Sequence, residues 1–157
     1  MRSRGVFLAQ ILAVFTALLG VTAHAQTQVI EPWIRGTVPQ QKATGAFMKI
    51  TSATGARLIG AASPVAGVVE IHEMTLDGQV MRMRALPNGL DLPGGQTIEL
   101  KPGGYHVMLM DLKQTLGEGQ KVPLTLRVQT REGQVEVLQL EVPVRAVSAP
   151  AKGHHHK

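Results

Sequence analysis

Apolar and polar residues alternate with a period of two through most of the chain after residue 26. Short segments of this kind, separated by Gly and Pro, are typical of half-buried β-strands, and no segment shows the 3.6-residue period of an amphipathic helix. We therefore predict strands at 28–34, 45–52, 57–63, 67–75, 80–86, 97–101, 105–111, 122–130 and 135–144. Strands this short and this closely spaced predict an all-β fold, a two-sheet Greek-key β-sandwich.

The last predicted hairpin shows how such a sandwich builds its core. Apolar side chains take every second position on both of its strands, on either side of a turn at 131–134, and polar ones take the positions between. The apolar set is Val122, Leu124, Leu126, Val128, Leu138, Leu140 and Val142. We expect this face to be buried and the other to be wet.

The first 25 residues have the features of a signal peptide. Arg2 and Arg4 form a basic start, an apolar run covers 6–21, and Ala23-His24-Ala25 places small residues where a signal peptidase cleaves. The alternative is a retained membrane anchor, for which the apolar run is short. We expect cleavage after Ala25 and export to the periplasm.

The remaining chain is long enough for one domain and too short for two ordinary ones, so we assign a single domain to 26–146. Residues 147–157 form a polar tail with no core positions. The net charge of the chain is +5 without a Lys/Arg cluster, and three aromatic residues follow residue 25, so we expect no nucleic-acid partner. The chain has no cysteine, which excludes thiolate nucleophiles, redox dithiols and thiolate metal ligands.

Methionine is concentrated in one part of the sequence. Apart from Met1 and Met48, every methionine lies between positions 74 and 110, and the two histidines of the predicted domain, His72 and His106, lie in or beside that stretch. Methionine in a strand is commonly core filler and a single histidine is commonly structural, and we adopt that interpretation for Met48. For Met74, Met81 and Met110 we favour packing or support of a neighbouring site.

Asp77-Gly78 is a two-residue hairpin signal of the type I′ kind. A loop at these residues pairs His72 with Met83, Glu73 with Arg82 and Met74 with Met81. Directly opposed side chains are about 5 Å apart at Cβ, close enough for His72 and Met83 to reach one ion. His72, Met74, Met81 and Met83 then share one face of the hairpin. The Glu73–Arg82 pair lies on the other face.

The strand at 105–111 carries His106, Met108 and Met110 on one face. Placing this strand beside the hairpin brings together two imidazoles and two thioethers, from His72, Met83, His106 and Met108. Thioethers bind Cu(I) well and bind Zn(II), Mg(II) or Ca(II) poorly, and a blue-copper site would need a cysteine. The pattern therefore favours holding and releasing Cu(I), with a packing role for the same residues as the alternative.

These residues resemble the PCuAC-type periplasmic copper(I) chaperones. The stretches that carry the resemblance are 70–74, Gly78, 80–84 and 100–110, and the family pattern is a His, ten residues, a Met, about twenty-one residues and then His-x-Met. Ten residues separate His72 from Met83 here, and 22 separate Met83 from His106. The pattern often has a Met immediately after the first His, where this chain has Glu73.

The resemblance implies a cupredoxin-like β-sandwich that binds one Cu(I) and delivers it to the CuA-type centre of a haem–copper oxidase or to a Sco-type assembly factor. We expect a monomer without a membrane partner after cleavage. A copper-sequestering resistance protein without a delivery role is one alternative, and an adhesive sandwich with a methionine-rich patch is another. An enzyme is not expected, because neither an activated nucleophile nor a suitably placed pair of carboxylates is evident.

The tail ends in His154, His155 and His156. Imidazole is a good ligand for Cu(II), and three in a row on a polar tail predict a secondary Cu(II) site. The alternatives are a solvated terminus and the remnant of an expression tag.

Overall fold

The computed structural model describes residues 26–146. This part of the chain forms ten strands and no helix. The strands are β1 (Thr27–Arg35), β2 (Ala43–Ser52), β3 (Ala56–Ala62), β4 (Ala66–Asp77), β5 (Val80–Ala85), β6 (Leu90–Leu92), β7 (Thr97–Leu100), β8 (His106–Leu112), β9 (Lys121–Thr130) and β10 (Val135–Arg145).

The strands follow one hydrogen-bonded path, β5-β4-β8-β2-β1-β10-β9-β3-β6, and β7 pairs with β2. β1 and β10 run parallel, and the other strand pairs described are antiparallel. β8 lies between β4 and β2, far from both in sequence, which gives the order its Greek-key character. The predicted all-β fold is therefore confirmed.

The path folds on itself, so that its two halves share one apolar core. Ile50, Ile71 and Val107 from β2, β4 and β8 belong to the same buried cluster as Leu58 and Leu126 from β3 and β9. This arrangement is a β-sandwich, in which each sheet has one inner face and one outer face. The outer face of β4, β8 and β2 is the one that concerns function.

The β9–β10 hairpin is as the alternation predicts. The alternating apolar residues of β9 are all fully buried, and Val142 opposite Val122 is buried too. Leu138 and Leu140 are partly buried against this core. Thr130 donates its backbone N–H to the carbonyl of Gln134 at 2.8 Å, which closes the predicted turn.

One strand is absent from the sequence prediction. β6 spans only Leu90–Leu92, between Gly89 and Pro93, where the Gly/Pro content indicates a loop. It pairs with β3 and buries Leu90 and Leu92 in the core, so tertiary packing rather than local propensity makes it a strand.

The predicted signal peptide and the tail with His154, His155 and His156 lie outside the described residues. Across residues 26–146 the structure contains no helix with the length and apolar character needed to cross a membrane.

Candidate metal centre

The hairpin register is shifted by two residues from the predicted one. Gly78 and Gln79 form the loop, and Asp77 pairs with Val80. Gly78 has φ +63 whereas Gln79 is not in the left-handed region, so only the first loop residue needs glycine, as in a type II′ turn. The predicted Asp77-Gly78 type I′ loop is therefore wrong.

The shift changes the partners across the hairpin and leaves the faces intact. Met83 lies opposite Met74, and His72 lies opposite Ala85, so the predicted His72–Met83 pairing is wrong. Since side chains alternate with a period of two, a slip of two residues keeps Met83 on the face of His72 and Met74.

The other face of the hairpin carries two ion pairs in the observed register. Arg84 contacts the Glu73 carboxylate, and Arg82 lies 2.8 Å from Asp77. The predicted Glu73–Arg82 pair is replaced by these two, which satisfy both arginines.

β8 lies directly beside β4, as predicted, and brings the two histidines together. His72 faces His106 in the antiparallel register. Their ring centroids are 5.6 Å apart and the rings meet edge to face at 68°. They are 8 % and 6 % exposed, which is unusual for side chains on the outer face of a sheet. Imidazole nitrogens bind metal ions at about 2 Å, so two rings this close together are candidates for binding the same ion.

His106 is oriented by the turn that precedes β8. Lys101-Pro102-Gly103-Gly104 forms a type II turn, with Gly103 at φ +82 and the Gly104 N–H bonded to the Lys101 carbonyl at 3.0 Å. The carbonyl of Gly104 lies 3.0 Å from His106 Nδ1. Burial lowers the pKa of His106, and the nearby His72 and Arg35 lower it further, while the hydrogen bond to Gly104 acts in the opposite direction.

His72 has one ring nitrogen occupied and one without a partner. Its Nε2 lies 2.8 Å from Glu70 Oε2, two residues earlier on the same strand. Its Nδ1 is buried and has no hydrogen-bond partner among residues 26–146. A buried polar atom without a partner costs about 1–3 kcal/mol, so this nitrogen is a candidate ligand for an ion or another small group.

The methionines surround a cleft of about 290 Å³ beside His106. Met108 and Met83 line it too, so three of the four predicted ligands share one cleft. His72 does not line the cleft, and its ring lies next to that of His106. Met74, which the sequence pattern assigned to packing or support, lines it as well. A sequence prediction with the correct hairpin register would have identified Met74, because Met74 lies directly opposite Met83 in that register.

The remaining predicted positions lie apart from the cleft or in the core. Met81 is exposed on the outer part of the hairpin, and Met110 is partly buried opposite Ala43. Met48 is 2 % exposed in the core, as predicted.

An aromatic wall closes one side of the cleft. The ring of Phe47 lies 6.4 Å from that of His106, and Trp33 packs on Phe47 at 4.6 Å between centroids. Arg35 lies over the Phe47 ring at 5.5 Å. Gly45, opposite Met108 on β2, leaves the space that the Phe47 ring occupies, since a Cβ there would come within 2.6 Å of its Cζ. Sequence reasoning did not identify this wall, because it depends on the β2–β8 pairing.

Within residues 26–146 no three His, Cys, Asp or Glu side chains are grouped so that they could hold a metal ion. The donors at the cleft are instead the His106 imidazole and the thioethers of Met74, Met83 and Met108, and the His72 imidazole lies next to His106.

Two solved structures have the same fold. The copper-bound PCuAC domain from PmoF2 is 20 % identical, with a TM-score of 0.61 over 78 % of this chain and 94 % of that domain. The solution structure of CuI-DR1885 from Deinococcus radiodurans is 28 % identical, with a TM-score of 0.55 over 81 % of this chain and 83 % of that one. The predicted cupredoxin-like fold and the resemblance to PCuAC-type proteins are thereby confirmed.

Sequence comparison identifies the family. "Putative lipoprotein Lxx21020" from Leifsonia xyli subsp. xyli (strain CTCB07) is 33 % identical over 129 residues, which cover 74 % of this chain and 78 % of that protein. The profile of the family described as LpqE-like matches residues 27–144, which is nearly the whole described sandwich. The chain therefore belongs to the LpqE-like family.

Proposed function

We propose that this protein is a copper carrier that binds one Cu(I) through His72, Met83, His106 and Met108 and passes it to a copper-accepting protein. The observation that supports this most strongly is the unpartnered, buried Nδ1 of His72. It lies beside His106, whose own Nδ1 is engaged by Gly104. Two imidazole lone pairs are thus left for a ligand next to a cleft lined by thioethers.

The donor chemistry favours Cu(I). Soft thioethers select Cu(I), and imidazole is compatible with it. Two solved structures of the same fold contain copper: the PmoF2 domain is copper-bound, and DR1885 was solved in its Cu(I) form. Their likeness extends over the part of this chain that contains all four proposed ligands.

The burial of the ligands suits a carrier better than a store. Both histidines are nearly buried on central strands, whereas Met83 is 48 % exposed on β5. An incoming ligand from a partner can therefore displace the Met83 thioether first, while the imidazoles still hold the ion. A partner that approaches from the cleft side meets the copper without any rearrangement of the core.

We further propose that the protein is exported to the periplasm after cleavage behind Ala25 and acts there as a non-enzymatic monomer. The acceptor would be the CuA-type centre of a haem–copper oxidase or a Sco-type assembly factor. The LpqE-like profile and the relationship to a lipoprotein support export.

Anaerobic titration of Cu(I) against a competing chelator tests the ligand set. We expect one tight equivalent of Cu(I) for the wild type. The Cu(I) affinity should fall about tenfold or more in His106→Ala, Met83→Leu and Met108→Leu, because even the loss of a group that supports a metal ligand weakens metal binding by about 10- to 100-fold. Met81→Leu is the matched control, because Met81 lies on the same hairpin and outside the cleft. Unchanged affinity in both cleft methionine variants would refute the assignment.

A transfer experiment separates delivery from sequestration. Cu(I)-loaded protein is mixed with a metal-free CuA-type acceptor domain, and the copper on each is measured after separation. Transfer within minutes supports a carrier. Retention of the copper at matched affinity would support the sequestering alternative.

The tail is proposed as a secondary Cu(II) site formed by His154, His155 and His156. β10 ends at Arg145, which pairs with Arg35, and Arg35 lines the cleft. Three strand spacings, about 14 Å, separate β10 from β8. A fully extended chain of eight residues, the number from 146 to 154, measures up to about 27 Å, so chain length alone does not keep the three histidines from the cleft.

A further inference from the structure

The two histidines of the site are held through different ring nitrogens. His106 uses Nδ1 toward the carbonyl of Gly104, and His72 uses Nε2 toward the carboxylate of Glu70. A neutral imidazole has one N–H donor and one bare nitrogen, and which nitrogen is bare depends on the hydrogen bond that the other one makes.

The tautomer of His106 follows from its neighbour. A carbonyl oxygen only accepts hydrogen bonds, so Nδ1 must carry the proton that it donates to Gly104 at 3.0 Å. The same carbonyl also accepts the N–H of Met74 at 3.2 Å, and the type II turn fixes its direction. The bare nitrogen of His106 is therefore Nε2, the atom at the far end of the ring, and His106 lines the cleft.

The tautomer of His72 follows from satisfaction of its buried atoms. A proton on Nδ1 would be a buried donor without an acceptor, because that atom has no partner in the structure. A proton on Nε2 is satisfied by Glu70 Oε2 at 2.8 Å. The bare nitrogen of His72 is therefore Nδ1, the atom nearer to the backbone.

We propose that Glu70 is a positioning residue that fixes His72 in the Nε2–H form, so that the two histidines present opposite nitrogens, Nδ1 from His72 and Nε2 from His106, to one ion. The ion's identity rests on the function proposed above, but the tautomers are a property of the metal-free protein. Metal-binding histidines generally donate their second nitrogen to a carboxylate or carbonyl in this way.

The opposite tautomers solve a problem of reach. The two residues are directly opposed on adjacent strands, so their backbones are about 5 Å apart. Through Nδ1, His72 would bind with the nitrogen nearer to its backbone, so its ring, which is 8 % exposed, need not extend into solvent to reach an ion.

Nitrogen-resolved NMR of the metal-free full chain tests this proposal. Long-range ¹⁵N–¹H correlation spectra distinguish the two tautomers of each imidazole, and the variants His72→Gln and His106→Gln assign the two signals. We expect Nε2–H for His72 and Nδ1–H for His106 in the wild type. Nδ1–H for His72 would overturn the proposal.

Substitution of Glu70 provides the second part of the test. Its side chain is 45 % exposed, so we expect Glu70→Leu to fold. This variant should show a mixed His72 tautomer and a Cu(I) affinity lowered by about 10- to 100-fold. Glu70→Gln keeps an acceptor oxygen and should restore the tautomer and most of the affinity.

Glu73→Leu is the control, because Glu73 lies on the same strand but contacts Arg84 on the other face. It should leave the His72 tautomer as in the wild type. An unchanged tautomer in Glu70→Leu would overturn the role of Glu70. Because the tautomers are read without metal, that failure is distinguishable from absence of Cu(I) binding by the wild type, which would refute the proposed function instead.

Discussion

Met74 and Met83 face each other directly across β4 and β5, and both line the cleft beside His106. This pairing gives the proposed site two thioethers on the hairpin in addition to Met108 on β8. Met83 is the more exposed of the two, and Met74 is partly buried between it and the Gly104 carbonyl, which accepts the Met74 N–H. Met74 is thus placed to support Met83 or to replace it when a partner draws that side chain away.

We predict that Met74→Leu lowers Cu(I) affinity by about tenfold, the lower end of the range for groups that support a metal ligand. Leucine has similar volume, so folding should be retained. Met81→Leu changes an exposed methionine of the same hairpin and should leave the affinity unaltered. Equal affinities for the Met74 and Met81 variants in a chelator competition would show that Met74 only fills space.

The metal-free protein should lose stability in mild acid because of His106. Its pKa is lowered in the folded state, mainly by burial, from the usual value of 6.5. The unfolded chain therefore takes up this proton at a higher pH than the folded chain does. Its contribution to stability is complete above about pH 6.5 and is lost as the pH falls toward the folded pKa.

Urea unfolding of the metal-free wild type and His106→Gln at several pH values measures this effect. The free energy of unfolding of the wild type should fall more steeply between about pH 7.5 and about pH 5 than that of the variant. Parallel curves would mean that His106 titrates alike in both states.

We predict that Gly45→Ala damages the site through the aromatic wall. An added Cβ would come within 2.6 Å of the Phe47 ring, which is buried between Trp33 and His106 and has little room to move. Overpacking of this kind costs about 1–3 kcal/mol. Thermal unfolding, near-ultraviolet circular dichroism of Trp33 and Cu(I) affinity should all change.

Gly60→Ala is the matched control for this substitution. Gly60 lies in β3, does not have a positive φ, and a Cβ there would meet nothing within 4 Å. It should unfold at or slightly above the wild-type temperature and bind Cu(I) normally. Wild-type behaviour of Gly45→Ala would contradict the proposed role of the wall.

Removal of residues 151–157 tests the tail. We expect the truncated protein to bind Cu(I) as tightly as the full chain and to lose a Cu(II) equivalent that electron paramagnetic resonance detects in the full chain. Replacement of the three histidines by Gln should reproduce that loss. Undiminished Cu(II) binding by the truncated protein would refute the secondary site.

Most of the sheet structure was predictable from the sequence because period-two alternation is a local signal. β9 and β10 were located to within a residue of their ends, and Met48 was assigned to the core. β6 was not predictable, since three residues between Gly89 and Pro93 become a strand only through pairing with β3.

The sequence is sufficient to predict which face of the sheet carries the candidate ligands, but not which residues lie opposite one another across the hairpin. The alternation of side chains along β4, β5 and β8 is sufficient to place the histidines and methionines on one surface. The predicted register was wrong because Asp77-Gly78 and Gly78-Gln79 are both acceptable loops, and the local sequence does not decide between them. The Glu70 contact and the Phe47 wall depend on side-chain positions and on long-range pairing, about which local alternation carries no information.

Among the ten described strands, β5 pairs with β4 alone, and each of its six residues is exposed. Such a two-stranded ribbon at the border of a sheet opens at a much lower free energy than the whole domain, since little apolar area is uncovered. The proposed ligands therefore lie on strands of unequal local stability. Both imidazoles are on the central strands β4 and β8, and Met83 is on β5, which opens first. Amide hydrogen exchange would show this as fast exchange along β5 and slow exchange along β8, so one coordination position can be vacated while the domain stays folded.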